Sequence, residues 1–325
     1  MKRQIIVWTI SLLLTACYHS DNSSRGSKKS ETLLANTYTD TTLKTIDTLV
    51  DVGKHKLHFK IIQGRGIPIL FESGAGSDGS AWDTILNPIA EITGATLITY
   101  DRAGVGRSTI DTSETDSSKH GILSGLNDLE IALNKLGYDK QIMLISHSYG
   151  GYYTTLYASA HPNLVKSIVL IDVSHNFHER YVEKETREHE KETQDFKKSN
   201  LGFYYLAVTF PETIKLMRNY SIPTNIPTID FVDGISFQEN KEKTEHWKEC
   251  HKQFVNNHPK CIGITANGCG HSIWMDNPSL IIISISKLYA EVSNEKQKIN
   301  IYSRTLNYAI NSSNSTKEEK RVKTH

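Results

Sequence analysis

The chain has 325 residues, 38% of them hydrophobic and 22% charged, with 37 basic against 36 acidic side chains and a formal net charge of +1. That length suits one large domain or two small ones, and the composition is neither that of a disordered chain nor that of a set of membrane spans. So even a charge supplies no field to steer a polyanion, and no basic patch with interleaved aromatics is present, which excludes nucleic acid as a partner.

In chain order, Lys2 and Arg3 precede an apolar run from Ile5 to Leu14 that is too short to span a bilayer permanently. This is the anatomy of a signal peptide over residues 1–16. Its end, Leu14-Thr15-Ala16-Cys17, resembles the lipobox of bacterial lipoproteins, in which diacylglycerol is attached to the cysteine sulfur before cleavage. The resemblance implies lipidation at Cys17, and with N-acylation the acyl chains suffice for stable membrane attachment without a spanning helix. Residues 17–41, rich in Ser, Asn, Asp, Lys and Thr, have the composition of a flexible tether. The expected location is extracytoplasmic, lipid-anchored to a bacterial membrane. Three cysteines remain, Cys250, Cys261 and Cys269, and an odd number cannot all pair; at most one disulfide is expected.

From residue 42 to about residue 292 strands and helices alternate. Leu57, Phe59 and Ile61 alternate with Lys56, His58 and Lys60, which predicts a strand with one wet face near a sheet edge. Ile67–Phe71, Ala95–Thr99, Ile142–Ile145, Ile168–Ile171 and Cys261–Ile264 are short apolar runs, the pattern of parallel strands covered on both faces. Leu126, Leu129, Leu133 and Leu136 have helical spacing and end at Gly137; Asn277 and Pro278 open a further helix that closes near Val292. The resulting class is α/β, a mostly parallel sheet flanked by helices. Residues 176–225 break the alternation with a charged and then an aromatic stretch, which reads as helices inserted as a cap over the carboxyl ends of the strands. Residues 293–325 form a C-terminal extension for which disorder is an open reading, with Lys317 to Lys323 a solvated tail.

The chemistry concentrates in four segments. Leu144-Ile145-Ser146-His147-Ser148-Tyr149-Gly150-Gly151 runs from a buried strand through a small-residue turn into a helix. It resembles the nucleophile elbow G-x-S-x-G, with Ser146 in place of the first glycine and Ser148 as nucleophile. Phe71-Glu72-Ser73-Gly74-Ala75-Gly76 resembles the His-Gly-rich oxyanion loop, with Ser73 where the histidine usually stands. Tyr100-Asp101-Arg102-Ala103-Gly104-Val105-Gly106-Arg107-Ser108 matches the D-R-x-G-x-G-x-S loop. Gly270-His271-Ser272 places a histidine after the last strand, and His147, part of the elbow, is expected to point away from the nucleophile's side.

Together these segments resemble the α/β-hydrolase superfamily. The resemblance implies an α/β-hydrolase fold with Ser148 as nucleophile, His271 as base and backbone N–H groups of Ala75 and Tyr149 as oxyanion donors. Relatives that act on epoxides or haloalkanes use an aspartate nucleophile, which Ser148 argues against. For the triad acid two strand-end residues precede His271. Asp172 is preferred because Asp233 stands where the G-x-x-D pattern wants its glycine; Asp233 stays the alternative. The expected substrate is a small-molecule ester cleaved through an acyl-enzyme. The alternatives are an amide, as in an aminopeptidase using the acidic run Glu183 to Glu192, or a non-catalytic binding lipoprotein of hydrolase shape. No cofactor is expected, because no acidic residue follows Gly104-Val105-Gly106 at the spacing of a dinucleotide fold. No metal is expected either: His175 and His178 have no ligand cluster nearby in sequence, and His189-Glu190 lacks the second histidine of a zinc protease.

Overall fold

A computed structural model describes residues 43–175, 190–235 and 240–322. The signal peptide, Cys17, the tether, the first part of the cap insertion with His178 and most of the acidic run, and Ser236 lie outside the described residues.

Eight strands form one sheet: β1 (Thr45–Asp51), β2 (Lys56–Ile62), β3 (Ile69–Glu72), β4 (Leu97–Tyr100), β5 (Ile142–His147), β6 (Val165–Ile171), β7 (Thr228–Asp233) and β8 (Cys261–Ala266), in spatial order β1-β2-β4-β3-β5-β6-β7-β8. β1 and β2 pair antiparallel and β2 joins β4 antiparallel, while every pairing from β4 to β8 is parallel. Parallel strands need helical crossovers, so both faces of the central strands are covered and read as unbroken apolar runs. Along β3, Ile69 and Phe71 enter one core while Leu70 enters the other; in β5, Met143 and Ile145 oppose Leu144 in the same way. This is the strand period of two, and each such side chain contributes about 1.5–3 kcal/mol on burial.

The helices that position the site are α1 (Asp83–Thr93), α2 (Ile122–Leu136), α3 (Gly150–Ala160), the cap helices α4 (Glu190–Ser199), α5 (Leu201–Val208) and α6 (Phe210–Met217), then α7 (Lys241–Asn257), α8 (Ile273–Asp276), α9 (Pro278–Glu291) and α10 (Glu295–Val322). Leu126, Leu129 and Leu133 of α2 pack with Leu156 of α3 and Phe254 of α7 on one face. Ile85 and Ile89 of α1 meet Ile281 and Ile285 of α9 on the other. The ends obey the sequence signals. Gly137 terminates α2 with φ +79°, and Asn277 Oδ1 accepts the Leu280 N–H at 3.1 Å to cap α9.

The sheet begins at β1, whose alternate residues face solvent, and β2 lies next to it, near the sheet edge as its alternation suggests. Two other readings differ from the structure. β8 is the opposite edge and is covered on one side only: Ile262 is 61% exposed. Residues 295–322 are helical, and Ile301 enters the core beside α9, because an isoleucine and a threonine four residues apart (Ile301, Thr305) supply the one buried face that the charged surroundings mask in sequence.

Candidate active site

Ser148 caps β5 in a turn with φ +52°, a conformation non-glycine residues rarely adopt. The neighbouring strand end holds it there: the Ser148 N–H donates to the Ile171 carbonyl at 3.3 Å, and the Ser174 N–H donates to the Ser148 carbonyl at 3.0 Å. The following glycines are required by space. A Cβ on Gly150 would stand 2.6 Å from the Glu72 carbonyl oxygen, and one on Gly151 would stand 2.5 Å from Val173 Cβ. Only glycine lets α3 start this close to the ends of β3 and β6. At Ser146, the position of the elbow motif's first glycine, the side chain is accommodated fully buried in β5.

His271 lies on the loop between β8 and α8. Its Nδ1 meets Asp172 Oδ2 at 2.6 Å, so the imidazole donates from Nδ1 to an acceptor-only carboxylate and keeps Nε2 as a base. Asp172 is fully buried, with φ +47°. Its second oxygen accepts the Asp233 backbone N–H at 3.0 Å and the Trp247 indole N–H at 2.8 Å. It is Asp172, then, that meets the imidazole, while Asp233 contributes its backbone to Asp172. Trp247 had no sequence signal, since 75 residues separate it from its partner. Among the described residues the Ser148 hydroxyl has no hydrogen-bond partner; a nucleophile-to-base hydrogen bond is commonly long in an unliganded site and tightens with substrate.

His147 departs from expectation. Its ring does not turn away from the site but packs on His271 with centroids 4.4 Å apart, and its Nε2–H donates to the His271 carbonyl at 3.2 Å. Burial, together with the nearby His271, holds its pKa well below the usual histidine range, so this ring is a neutral buttress. Trp274 closes its other side at 4.6 Å.

The loop after β3 is oriented by Arg102. The guanidinium donates from Nη1 to the Ser73 carbonyl at 2.8 Å and from Nη2 to the Gly74 carbonyl, and Nη1 also reaches Glu72 Oε2 at 3.3 Å. In a trans peptide the C=O and the following N–H point in opposite directions. Fixing the Gly74 carbonyl toward Arg102 therefore turns the Ala75 N–H away from it, to the opposite side of the loop. Tyr149 leads into α3, where first-turn N–H groups lack intrahelical partners and the helix dipole favours negative charge. Ser73, at the usual histidine position, has a structural role, because its hydroxyl donates to the Asp78 carbonyl at 2.8 Å and accepts the Trp82 indole N–H at 3.1 Å. Asp101 is equally structural, accepting from Gly79 N–H at 2.9 Å and Arg107 N–H at 2.8 Å.

The described part of the cap touches this machinery. A Cβ on Gly202 would stand 2.5 Å from the Ala103 carbonyl, and one on Gly76 would stand 2.9 Å from the Phe203 ring. The Phe210 ring lies 5.6 Å from that of Tyr149. A cavity of about 350 Å³ lies between Arg102, Tyr149 and Tyr205, with Asp111, Glu114 and Asp128 on its wall. Below Asp172 the structure adds what spacing along the chain could not show. Asp230 and His251 gather on His175, which has no such neighbours nearby in sequence.

Comparison with known proteins follows the same lines. The family model for the alpha/beta hydrolase fold matches residues 67–194, which include the loop after β3, the turn at Ser148 and Asp172. An uncharacterized protein of Bacillus subtilis, YqjL, is 22% identical over 224 residues, covering 68% of this chain and 82% of that protein. Proline iminopeptidase of Lactobacillus delbrueckii subsp. lactis is 31% identical over 103 residues, 31% of this chain and 34% of the relative. Among solved structures, potato (Solanum tuberosum) epoxide hydrolase I superposes with a TM-score of 0.61 at 16% identity, over 74% of this chain and 98% of that one. At that identity the likeness speaks for the fold alone.

Proposed function

We propose that this chain is a member of the α/β-hydrolase superfamily, and within it a serine hydrolase cleaving a carboxylic ester through an acyl-enzyme. In this reading Ser148 is the nucleophile, His271 the general base and Asp172 the acid. The observation that carries it is the 2.6 Å contact between His271 Nδ1 and Asp172 Oδ2 beside an elbow serine. The acceptor-only carboxylate sets the tautomer that leaves His271 Nε2 able to take a proton.

The steps follow from those roles. As Ser148 Oγ attacks the ester carbonyl carbon, its proton passes to His271 Nε2, and the carbonyl electron pair becomes an oxyanion held by the Ala75 and Tyr149 N–H groups. Collapse expels the alcohol, which takes the proton from His271. Water then repeats the sequence on the acyl-enzyme, releasing the acid and restoring Ser148. Asp172 holds the ring in place and stabilises the transient imidazolium.

A second reading, amide cleavage, is favoured by the iminopeptidase relatives; of the carboxylates around the cavity beside Tyr149, Asp111 and Asp128 already face Lys54 and His55 at 3.2 and 3.1 Å, which leaves Glu114 to meet a substrate amine. Turnover of short-chain nitrophenyl esters against aminoacyl-nitroanilides, with Ser148→Ala as blank, separates the two. Ester turnover at least tenfold above anilide turnover supports the esterase; the reverse ratio replaces it with the amidase. We propose in addition that Cys17 is lipidated and that residues 17–41 tether the enzyme to a bacterial membrane in an extracytoplasmic compartment.

A further inference from the structure

Three side chains from separate elements converge in the dry interior beneath Asp172. His175 follows β6, Asp230 lies in the middle of β7, and His251 lies on α7; they are 6%, 1% and 2% exposed. His175 Nε2 stands 3.2 Å from both Asp230 Oδ1 and His251 Nδ1, and His251 Nδ1 stands 2.8 Å from Asp230 Oδ2. We propose that His175, Asp230 and His251 form a binding site for a zinc-class divalent cation.

The spacing is the first argument. Donors about 2.0–2.1 Å from a tetrahedral zinc ion stand about 3.3 Å from one another; the two imidazole nitrogens stand 3.2 Å apart, and each faces a different oxygen of Asp230, which would hold the ion through both. A carboxylate with two imidazole nitrogens is also a donor set that suits zinc. Proton-only bonding fits less well: if both imidazoles donate to Asp230, two N–H groups are crowded side by side 3.2 Å apart. A cation replaces both of these protons.

Charge is the second argument. Asp172 and Asp230 are aspartates at most 1% exposed, and their oxygens stand 3.8 and 2.8 Å from the two ring nitrogens of His251. Burying this much negative charge is costly unless cations compensate it. Access is the third: His175 lines a cavity of about 180 Å³ bordered by Tyr220, Thr224 and Asn257. Coordination through Nδ1 would leave the His251 proton on Nε2, facing Asp172 Oδ1 at 3.8 Å. The ion would thereby brace the junction of β6, β7 and α7 that carries Asp172, as a carboxylate behind a metal-bound histidine does.

The test uses the full chain without an affinity tag, stripped with chelator and then given zinc chloride. Gel filtration followed by metal analysis should find one zinc per chain, thermal denaturation should shift upward by at least about 3 °C at saturating zinc, and cobalt(II) should give the visible bands of low coordination. Asp230→Asn and His175→Gln should lose all three responses, whereas Ser148→Ala keeps them, separating this site from the proposed nucleophile. Wild-type protein that retains no zinc and shows no shift overturns the proposal whether or not the variants fold. So does full zinc retention by a folded His175→Gln variant.

Discussion

Ser148 and Asp172 stand at the ends of the adjacent strands β5 and β6, and both have left-handed backbone, with φ of +52° and +47°. Among the described residues they are the only non-glycine positions that do. Each such conformation costs about 1–3 kcal/mol and persists only where its surroundings over-determine it. Here the backbone of the next strand does so: Ser148 N–H donates to Ile171 and Asp172 N–H to Phe231, at 3.3 and 2.8 Å.

The two aspartates at neighbouring strand ends should differ sharply in consequence. Asp172→Asn is expected to lower kcat about 10³–10⁴-fold with KM little changed, since the wrong imidazole tautomer is then favoured. Asp233→Asn keeps the backbone N–H that supports Asp172 and should stay within about tenfold of wild type. Steady-state kinetics on one nitrophenyl ester measures both, and a larger loss at Asp233 would move the acid to that strand.

Arg102 never needs to touch substrate to matter. A lysine cannot hold the Ser73 and Gly74 carbonyls together as the planar guanidinium does, so the Ala75 N–H loses its fixed direction. Arg102→Lys should lower kcat by about 10–10³-fold, the scale of losing one oxyanion donor, while KM changes little. A kcat within twofold of wild type in the folded variant would remove Arg102 from the account.

Glu72 supplies a dependence on pH. Burial pushes its carboxyl up to about 7, against the pull of Arg102 and of the Tyr100 hydroxyl. The folded protein therefore holds this proton more tightly than the unfolded chain. The associated stability is fully present below the ordinary carboxylate value and is lost as pH rises toward 7. Relative to Glu72→Gln, wild type should lose up to about 3 kcal/mol between pH 4.5 and 8. Denaturant titrations at the two pH values test this, and parallel changes in both proteins would contradict it.

If Cys17 carries the proposed lipid anchor, Cys17→Ser should move the protein from the membrane fraction to the soluble fraction with its turnover of ester retained, because the composition of residues 17–41 is that of a flexible tether between anchor and domain. Membrane association that survives the substitution refutes lipidation at this cysteine.

Local features are legible in sequence and distant contacts are not. The run from Leu144 to Gly151 announces its strand, turn and helix because small residues are needed within a few positions of one another. Asn277 and Gly137 mark helix ends by the same local chemistry. The side to which His147 turns depends on Trp274 and His271, more than 120 residues away, and the grip of Arg102 on Gly74 depends on how two loops meet over β3. Asp172 could be preferred over Asp233 from register alone, yet its partner Trp247 and the cluster around Asp230 arise only when β6, β7 and α7 assemble. The helix at residues 295–322 is hidden in sequence because its buried face is narrow.

The central claim is that Ser148 is an activated nucleophile, and covalent labelling tests it most directly. Folded wild-type protein treated with a fluorophosphonate probe should gain one adduct, located by peptide mass spectrometry on Ser148, while Ser148→Ala gains none and His271→Ala reacts at least about 10²-fold more slowly. Folded wild type that takes no label, or labelling of Ser148→Ala at the wild-type rate, would contradict the account.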